Sequence, residues 1–307
     1  MNEHKNQLIG IPLVLLAGCL WGLSGVLGQL LFQSTDITIG FVSTVRMLGS
    51  GIGILIICMI RKDASLLTIW KDKKSIIRLL FFAIAGVMAV QYTYFSAIAA
   101  SNAATGTVLQ YTYPILMLLY TAFCMKKMPS VQEIFAILFA FLGIVLISTH
   151  GNLHSLSISK AALIWGLSSA VAFVIYTVSP QKLHNQYSIF SVTGWGFLLA
   201  GILMCIITKS YAAHVQFTTR SFLLVTAIAL FGTLIPFLIY GFGVRLLGNV
   251  KASLFATVEP VVSAILAFFL ADVTFTKVDI LGFICILGAI QVVAMQAVRK
   301  SPVSNHK

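Results

Sequence analysis

The sequence predicts an all-α integral membrane protein: ten transmembrane helices arranged as two inverted five-helix repeats around a central cavity. Three observations carry that expectation. The 307 residues are 59% apolar and only 9% charged, whereas soluble chains are roughly half apolar and a quarter charged. The apolar residues fall into runs of about 20, the length that crosses a ~30 Å hydrocarbon core as a helix. Finally, two stretches are copies of one another: Tyr94 to Pro114 is echoed by Tyr240 to Pro260 at a shift of 146, as in transporters built from two halves.

The runs, taken in order, lie near 11–33, 38–60, 77–99, 103–125, 131–149, 160–179, 189–208, 221–244, 250–271 and 279–298. They are too long and too continuous for the alternating pattern of a membrane β-barrel. The first contains Trp21-Gly22-Leu23-Ser24, repeated in the sixth as Trp165-Gly166-Leu167-Ser168. The second carries Arg46, which aligns with Trp195 of the seventh at a shift of 149. The third and eighth share Tyr94 and Tyr240; the fourth and ninth share Pro114 and Pro260; the fifth and tenth begin at Glu133 and Asp279. Five spans per copy is an odd number, so the second copy enters the membrane from the opposite side. The expected halves are 1–150 and 151–307.

Net charge is +12, and its placement matters more than its size. Of the 20 Lys and Arg residues, fifteen fall on one side: Lys5, Arg61, Lys62, Lys71, Lys73, Lys74, Arg78, Lys126, Lys127, Lys182, Arg245, Lys251, Arg299, Lys300 and Lys307. Lys160, Lys209, Arg220 and Lys277 fall on the other, and Arg46 lies inside a span. The positive-inside rule then makes both termini cytoplasmic in a multi-pass protein of the plasma or inner membrane. The Lys71–Arg78 cluster reads as an orientation signal near anionic lipid, with no nucleic-acid partner. All five cysteines lie within spans without paired spacing, so neither a disulfide framework nor a metal site is expected. Leu16-Ala17-Gly18-Cys19 resembles a lipoprotein cleavage site, but cleavage there would leave Trp21 and the apolar residues after it as the new N-terminus, where a lipoprotein would carry a polar tether.

The candidate site residues are those that are expensive in lipid or that share a face with them. A charge at a helix centre costs about 2.5–3.5 kcal/mol on insertion scales, and Arg46 and Glu259 are the two such residues well inside spans. Ala252, Ala256, Glu259 and Ser263 share one helical face, and their repeat mates are Gly106, Gln110, Tyr113 and Met117. Small at the start and polar in the middle, both faces suit the walls of one cavity. Tyr94, Tyr240 and Gln91 extend that lining, with interhelical hydrogen bonding as the plain alternative. Trp21, Trp165 and Trp195 stand either in the lining or, for the first two, in interfacial belts. Gln29 and Tyr176 share the faces of Trp21 and Trp165 more loosely. The six histidines lie in predicted loops or tails, and no phosphate loop, HExxH or Gly-x-Ser-x-Gly pattern occurs. Neither an enzyme nor a cofactor is expected.

These fragments together resemble the EamA-type branch of the drug/metabolite transporter superfamily. The resemblance rests on Trp21-Gly22, Arg46, Tyr94 to Ala103 leading to Pro114, the stretch around Gly143, Trp165-Gly166, Val258-Glu259-Pro260-Val261 and Gly282 to Gly288. It implies ten helices in inverted repeats, alternating access, and movement of amino acids or related small metabolites, often outward. One departure stands out: where the family often has an acid after the fourth and ninth spans, this chain keeps one in the second place, Asp272, but has Lys126-Lys127 in the first, so no role is carried over for that acid in the first half. The expected function is secondary active export of a small molecule, with Arg46 attracting a carboxylate and Glu259 meeting an amine or exchanging a proton. The rival is an inverted-repeat channel or facilitator. The expected partners are the lipid bilayer, the substrate and protons, in a monomer or a homodimer.

Overall fold

The computed structural model of the chain describes residues 2–124, 126, 128, 130–150, 152 and 158–300. Lys127, His154, His306 and Lys307 lie outside the described residues, as does most of the join between the expected halves. Among the described residues every regular element is helical. In order they are α1 (Asn2–Ser34), α2 (Ile39–Ile60), α3 (Lys73–Ala100), α4 (Ala103–Gln110), α5 (Tyr113–Cys124), α6 (Val131–Thr149), α7 (Lys160–Val178), α8 (Ile189–Ile207), α9 (Thr219–Leu247), α10 (Asn249–Ala256), α11 (Val258–Leu270) and α12 (Lys277–Lys300). Single helical turns at Ser65–Thr68, Ile69–Lys71, Gln181–His184 and Ser210–Ala212 sit in the connections.

Seven of the described helices are long and apolar enough to cross a membrane. The fourth and ninth apolar runs, expected to be continuous, are each broken in two, at Tyr111-Thr112 and at Thr257. The cause is in the sequence. Pro114 and Pro260 have no amide hydrogen to give to the carbonyls of Gln110 and Ala256 four residues earlier, and the helix restarts just before each proline. The third and eighth runs stay continuous but contain π-helical turns at Phe82–Met88 and Leu230–Leu234. These occupy matching places in the two copies, and each loosens one turn and frees backbone groups for other partners.

Several helix ends repeat as the spans do. Thr38 accepts from Phe41 N to begin α2, whereas Ser188 precedes α8 without a side-chain cap. Asp72 caps α3 through Lys74 N and Ser75 N, and Thr218 caps α9 through Ser221 N. Ser130 with Glu133 caps α6, and Thr276 with Asp279 caps α12. Such caps satisfy amides that the first helical turn leaves without partners. Lys126, where the sequence departs from the family pattern, and Asp272, which keeps the acid at the matching place, adopt the same left-handed conformation, φ 53° and 51°.

Packing pairs the copies. α2 lies along α8 and α6 along α12, each span against its own mate, while α1 against α9 is matched by α7 against α3. The α2–α8 seam is reciprocal. A methyl on Gly51 would stand 2.5 Å from Leu198 N, and one on Gly201 would stand 2.8 Å from Leu48 N. Glycine is required at both because the backbones touch, which is how helices associate in lipid. The lipid-side faces carry exposed Phe135, Leu138, Phe139, Phe222, Leu223 and Phe269, as a chain solvated by hydrocarbon should.

Candidate functional site

The buried polar residues converge where the broken helices meet α1, α2, α3, α7 and α9. Arg46 projects from the middle of α2 and is 3% exposed. Its Nε donates to Thr233 Oγ1 at 2.9 Å and its Nη2 to Gly232 O at 3.4 Å, both in the π-helical turn of α9. The guanidinium carbon lies 4.4 Å from the Phe95 ring centroid, a favourable cation–π arrangement. Nη1 is buried without a hydrogen-bond partner. The side chain is therefore fixed from the opposite repeat, with one donor left over.

Glu259, 7% exposed, stands in the first turn of α11 just past the break. Its Oε2 lies 2.8 Å from Tyr111 Oη, which lies in turn 2.9 Å from Ala256 O. Tyr111 thus reaches from the break in the first copy to the break in the second, and it meets the carbonyl that Pro260 leaves without its helical donor. Among the described residues the one ion pair is His150 with Asp279, so the two buried charges do not pair with each other.

Hydroxyls and amides link the surrounding helices. Tyr94 Oη is 2.9 Å from Thr107 Oγ1, and Thr107 Oγ1 is 3.3 Å from Ser263 Oγ, a chain from α3 through α4 to α11. Gln110 Nε2 donates to Ser169 Oγ at 2.6 Å, tying the end of α4 to α7. Gln29 Oε1 accepts from Ala103 N at 2.8 Å at the start of α4. Gln291 Nε2 donates to Thr257 Oγ1 at 2.7 Å, bracing the second break from α12. Gln91 is buried on α3.

One flank is aromatic. Trp21 lies 5.2 Å from both Phe237 and Tyr240, Tyr176 lies near Phe237 and Phe173, and Tyr113 stacks at 4.3 Å on Phe173. Trp21 Nε1 on this flank, and Ser24 Oγ against Gly232, are buried and unpartnered. Of the residues singled out from sequence, Arg46, Glu259, Gln110 and Tyr94 are tied into the polar network, and Tyr113, Tyr240 and Trp21 into the aromatic flank. Trp165 packs 5.8 Å from Tyr92. Trp195 sits apart, donating its Nε1 to Leu66 O and packing on Trp70 beside the loop after α2. Tyr111, Thr107, Ser169 and Thr233 were not anticipated. Tyr111 lies off the helical face that contains Gln110's mates, and only the break turns it toward Glu259. Small hydroxyl residues give little signal in an apolar run. No group of three or more potential metal ligands occurs among the described residues.

Tandem repeats of helices, matched broken helices and a buried polar centre between them fit a helical membrane transporter. A model of the EamA-like transporter family matches residues 8–149 and again 160–295. The chain is 33% identical over 292 residues to an uncharacterized inner membrane transporter, YicL, of Salmonella typhimurium, covering 95% of this chain and 97% of that one. It is 22% identical over 202 residues to an uncharacterized transporter, YyaM, of Bacillus subtilis, covering 64% and 66%. A solved crystal structure superposes with a TM-score of 0.64 at 17% identity, covering 96% of this chain and 98% of that one; at that identity the likeness concerns the fold alone. This chain belongs to the EamA-like transporter family.

Proposed function

We propose that the protein is a proton-coupled secondary transporter that exports amino acids or related small metabolites by alternating access. The observation that carries this reading is the placement of Tyr111 Oη within 2.9 Å of two acceptors, Glu259 Oε2 and Ala256 O. A phenol has one hydrogen to donate. When Glu259 is protonated, its O–H donates to Tyr111 and Tyr111 donates to Ala256 O, and every group is satisfied. When Glu259 is ionised, the charge-assisted bond claims the phenolic hydrogen, and a buried carbonyl already deprived by Pro260 loses its donor. An unpaired buried carbonyl costs about 1–3 kcal/mol, enough to shift a two-state equilibrium several-fold or more. Loading and unloading one proton therefore biases the contact between the two breaks. Arg46 supplies the complementary recognition, a fixed guanidinium with a free donor for a substrate carboxylate.

Ten crossings in two inverted halves, 1–150 and 151–307, fit the two-fold pairing of α1–α9 with α7–α3 and the odd number of segments per copy. The Lys and Arg distribution supports cytoplasmic termini, and the YicL relative supports the inner membrane. Outward movement of amino acids follows the family resemblance of the sequence.

The test is counterflow in liposomes over a range of pH. The wild type is expected to exchange radiolabelled substrate saturably, with a rate that changes with pH, and Glu259→Gln to exchange with a flat profile. An unaltered profile in Glu259→Gln overturns the proton role. Flux without saturation in the wild type favours a channel.

A further inference from the structure

A second constellation lies outside the central site, on the face that holds most of the Lys and Arg residues. The end of α2, the start of α8 and the last turns of α9 enclose a cavity of about 220 Å³. Arg61 and Arg245 stand at its rim. The guanidinium carbon of Arg61, which follows α2, lies 5.1 Å from the Phe242 ring of α9. That of Arg245, on α9, lies 4.6 Å from the Phe190 ring of α8. Each arginine is held over an aromatic face of a neighbouring helix, with its planar fork of donors uncommitted. Among the described residues neither makes an ion pair.

The cavity also holds one carboxylate, Asp63, and it is already occupied. Ser65 N donates to Oδ1 at 2.9 Å and Ser191 Oγ to Oδ2 at 3.0 Å. Partial burial works to raise its pKa, but hydrogen bonds from Ser188, Ser65 and Ser191 outweigh that and hold it below the usual carboxylate value. Asp63 is therefore a structural tie, and the site keeps a net positive charge. The inner wall is apolar, formed by Ile57, Leu238 and Phe242. Beside it on α2, Met59 and Ile60 are 55% and 75% exposed, as on a lipid-facing surface. Neither arginine has a basic counterpart in the other copy, where Ser210 and Ala99 hold the aligned positions.

A cationic rim at the membrane surface, an apolar wall running into the hydrocarbon and a cavity between helices are complementary to a phosphate ester with a lipid tail. We propose that this cleft between α2, α8 and α9 binds the phosphate headgroup of an anionic phospholipid. The proposal is independent of the transport reading, because it uses none of the residues of the central site.

The experiment uses the full-length protein in nanodiscs made from equal parts phosphatidylglycerol and phosphatidylcholine, extracted into mild detergent and analysed for retained lipid by mass spectrometry. Enrichment of phosphatidylglycerol over the bulk ratio is expected for the wild type and for Glu259→Gln. It is expected to fall about fivefold for each arginine replaced in Arg61→Gln and Arg245→Gln. Arg61→Lys/Arg245→Lys, which keeps the charge but not the fork, is expected to lie between. Thermal unfolding of each variant in lipid-free detergent separates lost binding from lost folding. A parallel titration of delipidated protein with sn-glycerol 3-phosphate distinguishes the source. Arginine-dependent binding of that soluble ester without lipid retention overturns the lipid assignment in favour of a soluble phosphate, and arginine-dependent lipid retention supports it. Absence of both in the wild type, or either one unchanged in Arg61→Gln/Arg245→Gln of wild-type thermal stability, overturns the proposal.

Discussion

Arg46 and Glu259 face the same physical difficulty, a charge inside a membrane span, and are accommodated in different ways. Arg46 is held by a hydroxyl, a carbonyl and an aromatic face, all fixed, so its charge is permanent and directional. Glu259 has one phenol that it must share with a carbonyl, so the two acceptors compete for a single hydrogen. Replacing Arg46 by Ala is expected to lower the apparent affinity for a carboxylate-bearing substrate roughly 10- to 100-fold, the worth of a hydrogen bond to a charged group, measured as half-saturation in counterflow. Tyr111→Phe leaves Ala256 O without a donor whatever the state of Glu259. It is expected to destabilise the protein by about 1–3 kcal/mol in thermal unfolding and to flatten the pH profile of transport. Outside the membrane, Asp63 is held below its ordinary pKa by the hydrogen bonds that oppose its burial. Because the folded-state value is the lower one, its stabilisation is complete above the ordinary value of 3.8 and fades as the pH falls through the folded-state value. Asp63→Asn should therefore unfold at lower temperature than the wild type at pH 7, with the gap closing as the pH drops below 3.8. At this scale the sequence was informative wherever cost marked a residue: Arg46, Glu259, Gln110 and Tyr94 stand out in an apolar chain. Tyr111 was hidden because helical periodicity assumes an unbroken helix, and here the break redirects it.

Secondary structure was legible in its spacing and illegible in its irregularities. The apolar runs locate every long helix, and the paired prolines announce a symmetric disturbance near Pro114 and Pro260. What no periodicity reveals is that the fourth and ninth segments part completely, or that α3 and α9 each contain a π-helical turn. Apolar residues look alike in α and π geometry, and the difference lies in which carbonyl each amide finds. The repeats repair their breaks differently: in the first, Thr112 Oγ1 donates back to Leu109 O, while in the second Ala256 O accepts from Tyr111 and Thr257 Oγ1 from Gln291. Close packing gives a prediction that belongs to helices as units. Since Gly51 and Gly201 each meet the backbone of the facing helix, Gly51→Val and Gly201→Val are expected to cost similar amounts, about 1–3 kcal/mol as for overpacked cores, read from unfolding in detergent. Gly49→Val, with nothing within 4 Å of its added carbon, should be near neutral.

For the whole molecule, the duplication organises both packing and its asymmetries. α6 and α12 are clasped at each end by aligned residues. At one end Ser130 Oγ donates to Gln296 Oε1; at the other His150 Nε2 meets Asp279 Oδ1 at 2.9 Å. His150 and Gln296 are repeat mates, and each meets the capping box of the facing helix, Gln296 through Ser130 and His150 through Asp279. The two-copy plan was visible in the sequence because Tyr94 to Pro114 and Tyr240 to Pro260 kept their order. The centre depends on contacts between copies, as between Arg46 and Thr233 or Tyr111 and Glu259, and one linear pattern does not specify them. A proton carried by Glu259 is tested by substrate-linked proton movement. Liposomes containing the purified protein and a trapped pH-sensitive dye are challenged with a mixture of the standard amino acids while dye signal and amino-acid uptake are followed together. A pH change is expected to accompany uptake in the wild type, and Glu259→Gln is expected to show uptake without that change. Uptake by the wild type with no pH change, or an equal pH change in Glu259→Gln, would contradict the claim.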